Sequence, residues 1–217
     1  MDNLILIRHG QSRWNLENRF TGWVDVDLSE NGVLEAKEAA KVLKKNDIEI
    51  DYVYTSVLKR SIQTAELILD ILEKNELSLT KSWQLNERHY GALQGKNKKE
   101  TAEIHGDEQV KIWRRSFSTK PPQLNEKDIQ IPESWGENIP IVLGESLEDT
   151  CKRVIPFWKE NILKEIKSGK KILISAHGNS LRALLKHLFS ISDDKILELE
   201  IPTGKPILCK INEEGLG

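Results

Sequence analysis

The chain has 217 residues, 30% of them charged and 38% hydrophobic, with a mass of 24.9 kDa and a mean hydropathy of −0.47. A fold of that mass buries about 70% of the surface its unfolded chain exposes, and plentiful, well-spread apolar residues exclude a disordered or collagen-like chain. A balance of 32 basic against 34 acidic residues, net −2, offers no bulk attraction to nucleic acid or an anionic membrane, and no apolar run approaches the ~20 residues of a membrane span.

Leu4-Ile5-Leu6-Ile7 is short, aliphatic and unalternating, which predicts a strand buried on both faces. Ser29 is placed to cap a helix in which Ala36, Ala39, Ala40 and Leu43 recur at helical spacing. Asp51 to Thr55 reads as a second strand. Leu58, Ile62, Ala65, Leu69 and Leu72 after it mark a strongly amphipathic helix. Leu77 to Trp83 suggests a third strand, and Asn97 to Phe117 a polar helix. Residues 118–145 hold four prolines and no sustained period, which predicts a long surface loop of the kind that is usually functional or mobile. Helical spacing resumes at Leu147, Cys151, Val154 and Trp158, with a kink expected at Pro156. Lys171 to Ser175 is a buried strand, Leu181, Leu184, Leu185 and Leu188 form a helix stripe, and Pro206 to Ile211 closes with a strand. This alternation predicts one three-layer α/β/α domain over residues 1–217 with a mostly parallel central sheet.

One pattern occurs twice: Leu4 to Gly10 and Ile172 to Gly178 are both buried strands running into a His-Gly turn. Ligands of parallel α/β sheets bind beyond the carboxyl ends of the strands, so His9 and His177 face one pocket if their strands are neighbours. Arg8, Arg13, Lys59 and Arg60 fall near such strand ends, with Arg88, Lys98, Arg114 and Arg115 further on. A guanidinium offers paired donors to phosphate or carboxylate oxygens, so the coincidence suggests an anionic ligand. Glu87, among these cations, has the surroundings of a proton-transfer group; on these residues alone an ordinary salt-bridged glutamate fits as well. No metal-ligand spacing, phosphate-cradling glycine loop or nucleophile elbow is present, and the six tryptophans are scattered. Cys151 and Cys209 form no CxxC. With an opening segment too short and too quickly charged for a signal peptide, this predicts a cytoplasmic protein.

Arg8-His9-Gly10-Gln11-Ser12-Arg13-Trp14-Asn15, Asn18 to Trp23, Thr55 to Arg60, Leu85 to Gly95, Trp113-Arg114-Arg115 and Ala176 to Arg182 together resemble the cofactor-dependent phosphoglycerate mutases of the histidine phosphatase superfamily. The resemblance runs from Leu4 to about Pro206, outside the 118–145 loop. It implies that His9 is phosphorylated, that Glu87 is the acid/base, and that His177, Arg8 and Arg60 stabilise the transferring phosphoryl group. It further implies substrate contacts from Gly10, Gln11, Ser12, Arg13, Trp14, Asn15, Thr21, Gly22, Arg88, His89, Tyr90, Lys98, Arg114, Arg115, Gly178 and Asn179. The activity it implies interconverts 2- and 3-phosphoglycerate, with 2,3-bisphosphoglycerate as primer and without a metal. A phosphatase or bisphosphoglycerate synthase is the neighbouring alternative on the same residues. A non-catalytic phospho-ligand module is the distant one, but it would need the arginines without the nucleophile and its acid/base. Two features depart from the longer relatives. The 118–145 segment is short, leaving homodimer and monomer both open, and the sequence stops at Gly217, where many relatives carry a covering tail. A thinner cover predicts faster hydrolysis of phospho-His9. Near-neutral charge is on this reading an average over an acidic exterior and a basic cleft.

Overall fold

A computed structural model describes residues 2–136 and 138–217, so that Met1 and Glu137 lie outside the described residues. In chain order the elements are β1 (Leu4–Arg8), α1 (Arg13–Leu16), α2 (Glu30–Lys45), β2 (Tyr52–Thr55), α3 (Lys59–Ile71) and β3 (Leu79–Lys81). They continue with α4 (Lys98–His105), α5 (Asp107–Arg115), α6 (Leu147–Phe157), α7 (Leu163–Lys167), β4 (Ile172–Ala176), α8 (Gly178–Leu188), α9 (Asp193–Ile196) and β5 (Pro206–Cys209). The five strands form one sheet in the order β3-β2-β4-β1-β5. All neighbours are parallel except β5, which runs antiparallel to β1.

Side chains of a strand alternate between faces, and here both faces are covered. Leu4 and Leu6 join Ile172 and Ile174 in a core shared with Leu147, Val154, Trp158, Leu181 and Leu184 of α6 and α8 and the turn after α6. Ile5, Ile7, Val53 and Leu173 point the other way, onto Ala39, Ala40, Leu43, Ala65 and Ile68 of α2 and α3. The unalternating apolar runs of β1 and β4 follow directly from this, and the expected three-layer α/β arrangement is the one observed.

Ser29 caps α2 as its position suggests, its hydroxyl accepting the Gly32 amide at 3.1 Å. The structure sharpens three expectations. The predicted helix over Asn97 to Phe117 is two helices, because Gly106 sits at φ +84°, where a side chain would be strained. α6 runs through Pro156 into a π-helical turn, Trp158–Ile162, that leads into α7, so the departure from regular α-helix falls just past the proline. The 118–145 segment is no bare surface loop. It contains two 3₁₀ turns, Glu126–Asp128 and Glu133–Trp135, and buries Trp135 against Trp23, Val57 and Leu58. The Pro122 carbonyl ties it to the Ala92 amide at 2.8 Å, and the Leu124 amide closes the segment on itself at the Leu143 carbonyl, also at 2.8 Å.

Candidate active site

β1 and β4 are hydrogen-bonded neighbours, with Arg8 beside Ala176. That register brings the two His-Gly turns together: the His9 amide donates to the Ala176 carbonyl at 3.0 Å. The imidazole rings lie 4.9 Å apart, centroid to centroid, at 60°. β2 lies on the other side of β4, so Ser56 at its end reaches His177, Oγ to Nε2, at 2.7 Å. Arg60 enters from the first turn of α3 and is fully buried. Its Nη1 and Nη2 donate to the carbonyls of Val24 and Gly22 at 3.0 and 2.8 Å, while Nε donates to His9 Nε2 at 3.3 Å.

These contacts define the chemical state of His9. Its Nδ1 lies 2.6 Å from the Gly10 carbonyl oxygen, which can only accept, so Nδ1 carries the proton and Nε2 keeps its lone pair. Burial, followed by the charges of Arg60 and Arg8, pulls the His9 pKa well below 6.5. Burial and Arg60 lower His177 in the same way. At neutral pH His9 is a neutral imidazole whose unprotonated Nε2 faces the Arg60 guanidinium, and an unprotonated ring nitrogen is what a nucleophile requires. Arg60 is lowered by burial to about 10 and stays charged at neutral pH.

In front of His9 lies a cavity of about 370 Å³, within the range of small-molecule sites. Seven cationic side chains line it (Arg8, Arg19, Arg60, Lys98, Arg114, Arg115 and Arg182) against two carboxylates, Glu87 and Glu200. The cations fall at two depths. Arg60 beside His9 and Arg182 on α8 are buried, whereas Arg8, Lys98, Arg114 and Arg115 are half-buried. Burial lowers the Lys98 pKa. Glu87 enters between the two sets. Its Oε1 accepts the amides of Arg88 and Asn179 at 2.8 and 3.1 Å, and its Oε2 lies on the side of Gly178 and the Arg8 guanidinium. Arg8 Nε and Thr21 Oγ1, both on cavity-lining residues, are buried without a partner among the described residues. Orphaned polar atoms of this kind are uncommon, and around a cavity they mark places where a ligand atom completes the set.

Of the residues expected to meet substrate, Asn15, Thr21, Gly22, Tyr90, Lys98, Arg114, Arg115, Gly178 and Asn179 line the cavity with His9, Arg8, Arg60 and Glu87. Others stand behind it. His177 is fully buried, one ring away from the cavity. Arg88 is also fully buried, stacked 4.6 Å over the Tyr90 ring with Nη2 on the Arg114 carbonyl, so it supports two lining residues. Gly10 abuts the Gly32 main chain.

Four expected contacts are turned elsewhere, and a fifth is diverted into a cap. Gln11 Oε1 accepts the Ser29 hydroxyl at 2.9 Å. Ser12 caps α1 by accepting the Asn15 amide at 3.1 Å, leaving the lining position to Asn15. Arg13 lines a different groove with Asp27 and Glu66. Trp14 faces Gly95. His89 lies under Trp23, ring centroids 5.5 Å apart, with Nδ1 accepting the Gly91 amide. Sequence reasoning passed over Arg19, Phe20, Arg182 and the Leu199–Pro202 stretch, all of which line the cavity. Arg182 was within reach: three residues after Asn179 on one helix face, it donates to Asn179 Oδ1 at 3.0 Å. Nothing periodic marks 199–202, which closes the wall only because β5 turns back alongside β1.

Among the described residues no group of three or more His, Cys, Asp or Glu side chains is placed to hold a metal ion, and no helix is long and apolar enough to cross a membrane. A buried neutral imidazole at a sheet's strand ends, opposite a second histidine and beside arginines, is an arrangement suited to phosphoryl transfer. The chain belongs to the histidine phosphatase superfamily, branch 1, whose model matches residues 4–216. Similar solved structures include YhfR of Bacillus stearothermophilus, at 22% identity over 98% of this chain and 92% of that one, TM-score 0.75. The alpha-ribazole phosphatase of Shigella flexneri is 23% identical over 97% and 91%, TM-score 0.72. A mycobacterial glucosyl-3-phosphoglycerate phosphatase is 24% identical over 93% and 86%, TM-score 0.71. At these identities the likeness is one of fold.

Proposed function

We infer that the protein is a phosphoglycerate mutase, moving a phosphoryl group between the 2- and 3-hydroxyls of phosphoglycerate through phospho-His9. The observation that carries this reading is the two-depth cationic lining. A monophosphate ester needs only the cations beside His9, whereas half-buried Lys98 and Arg114, with Arg115 in its ion pair to Glu200, supply charge for further anionic groups on the same small molecule. Seven cations against two carboxylates and the unpartnered Arg8 Nε and Thr21 Oγ1 also suit 2,3-bisphosphoglycerate. Bound there, that compound supplies the phosphoryl group that primes His9.

The remaining steps belong to the chain. Phosphoryl transfer passes through a loose transition state with charge on the equatorial oxygens, so catalysis is mostly positioning and cationic stabilisation. Arg60, held by two carbonyls, and Arg8, tied by Nη1 to the Ile201 carbonyl at 2.8 Å, present donors that need no reorganisation. In the forward step the P–N bond at His9 Nε2 breaks as the substrate hydroxyl oxygen bonds to phosphorus, and Glu87 takes the hydroxyl proton. In the return step Nε2 displaces the other oxygen, and Glu87 gives the proton back to it.

The similar proteins named phosphatases make hydrolysis the competing outcome. The deciding experiment follows 3-phosphoglycerate isomerisation with and without the bisphosphate, with inorganic phosphate measured in the same tube. Isomerisation stimulated by the bisphosphate and well in excess of phosphate release is expected. Phosphate release without isomerisation makes the protein a phosphatase.

A further inference from the structure

Glu87 stands in an irregular stretch, Glu87 to Tyr90, with neither helix nor strand to fix it. Yet a proton-transfer group has to be held within a fraction of an ångström. Its main chain is gripped from outside the cavity by a buried ion pair, with Trp23 beside it. Arg153 of α6 donates from Nη1 to the carbonyls of Gln84 and Asn86 at 2.7 and 3.0 Å, and from Nη2 to that of Glu87 at 3.0 Å. Its other edge forks onto Glu145, Nε to Oε1 at 2.6 Å and Nη2 to Oε2 at 2.9 Å. Glu145 holds the next link: its Oε2 accepts the His89 amide at 2.8 Å, and its own amide donates to the His89 carbonyl at 2.9 Å. Trp23 adds an indole N–H to the Glu87 carbonyl at 2.6 Å and lies 5.7 Å from the Arg153 guanidinium.

Both charged side chains are buried, at 7% and 6% exposure, and neither lines the cavity. A buried ion pair is a weak source of stability, since desolvation offsets most of the attraction and apolar replacements are often neutral. Its distinctive property is directional, because a planar fork with five donors fixes several carbonyls at once. We propose that the buried Arg153–Glu145 pair is a positioning device that locks the Gln84–His89 main chain and thereby aims the Glu87 carboxylate at the substrate hydroxyl. This rests on the assignment of Glu87 as the acid/base.

The test is a mutant cycle in the bisphosphate-primed mutase assay, using wild type, R153M/E145L, E87Q and the triple variant, with R153K alongside. The double variant is expected to melt cooperatively, to keep KM within about threefold, and to lose kcat by roughly 30-fold or more, as for a catalytic group displaced by about 1 Å. In the E87Q background the same change is expected to leave kcat unaltered, because the pair acts only through Glu87. R153K, which retains charge but loses the fork, is expected to fall between, with KM unchanged. An equal loss in both backgrounds, a kcat within threefold of wild type, or failure of both R153M/E145L and R153K to fold overturns the proposal. If instead E87Q itself retains wild-type kcat, the acid/base assignment fails, a result distinct from any of these.

Discussion

The two strand ends share a dipeptide, yet they do different work. At the end of β1, His9 is tied by its own neighbour's carbonyl and presents Nε2 to the cavity. At the end of β4, His177 is buried one layer back with Nε2 on Ser56 and Nδ1 without a partner. His9 leads into a loop, whereas His177 leads straight into α8, whose Asn179 amide holds Glu87. On the proposed function, one end would supply the nucleophile and the other the surroundings of the transferring group. The sharpest way to break this division is to remove each histidine. His9→Ala is expected to lower turnover by at least about 10⁴-fold, as for a lost nucleophile, and to show no acid-labile phosphoenzyme on quenching. His177→Ala is expected to lose roughly 10²–10³-fold, the scale of one stabilising donor, and still to label at His9. Labelling of His9→Ala at another residue would reverse the assignment.

Glu87 tests the second end from the other side. Glu87→Gln keeps the shape and the acceptor for the Asn179 amide but cannot take a proton. A fall in kcat of about 100-fold is expected, within the range for general acid–base catalysis, with little change in KM. A near-wild-type rate measured across the pH range would reduce Glu87 to an anchor for α8.

Burial of both histidines as neutral rings also has a pH signature, for which His89 serves as a reference outside the cavity. Burial lowers His89 to about 4. Between pH 6.5 and 4 the unfolded chain therefore binds a proton that the folded chain does not, and stability falls as pH falls. The His89 share alone is on the order of 3 kcal/mol over that window. His9 and His177, both lowered, act in the same direction. Denaturant unfolding at stepped pH is expected to show this slope, and His89→Asn to make it shallower. kcat/KM, by contrast, is expected to have no inflection at pH 6.5, because free-enzyme His9 is still neutral there. An inflection at that pH would mean that His9 titrates as an exposed histidine.

What could be read in the sequence follows the periodic elements. Runs such as Leu4-Ile5-Leu6-Ile7 and Lys171 to Ser175 carry their burial in their composition, so the sheet and its two His-Gly ends were legible. Adjacency was not, since the β3-β2-β4-β1-β5 order is a long-range property that no local pattern encodes. Motif residues were sound guides to the neighbourhood but not to direction. Gln11, Arg13, Trp14 and His89 lie beside lining residues in the chain, yet side-chain direction there depends on turns and caps, such as Ser12 on α1. Arg153 and Glu145 were invisible as partners of Glu87 because they act across 66 and 58 residues of chain through main-chain bonds. The inner anchors of the 118–145 loop, Ile131, Trp135 and Val142, were not legible because they recur at no regular spacing.

The two glycines offer the smallest but most discriminating comparison. A Cβ on Gly10 would stand 2.1 Å from the Gly32 carbonyl oxygen, and one on Gly32 would stand 2.0 Å from the Gln11 carbonyl oxygen. Two main chains touch there, and neither can yield without moving β1's exit or α2. Gly10→Ala is therefore expected to destabilise by about 1–3 kcal/mol, the range for overpacking a rigid site, and to disturb His9 with it. A Cβ on Gly178 would meet Arg8 Nε at 3.6 Å and Glu87 Oε2 at 3.7 Å, which are ordinary contacts. Gly178→Ala is expected to keep the melting temperature, since φ there is not in the left-handed region and Ala suits the first turn of α8. Its methyl group would nonetheless project between Arg8 and Glu87, so if the ligand passes between them, as the proposed function requires, KM is expected to rise several-fold. Equal melting losses in both variants would show that the second glycine, like the first, is there for main-chain packing. A KM effect confined to Gly178→Ala would place the ligand's path between Arg8 and Glu87.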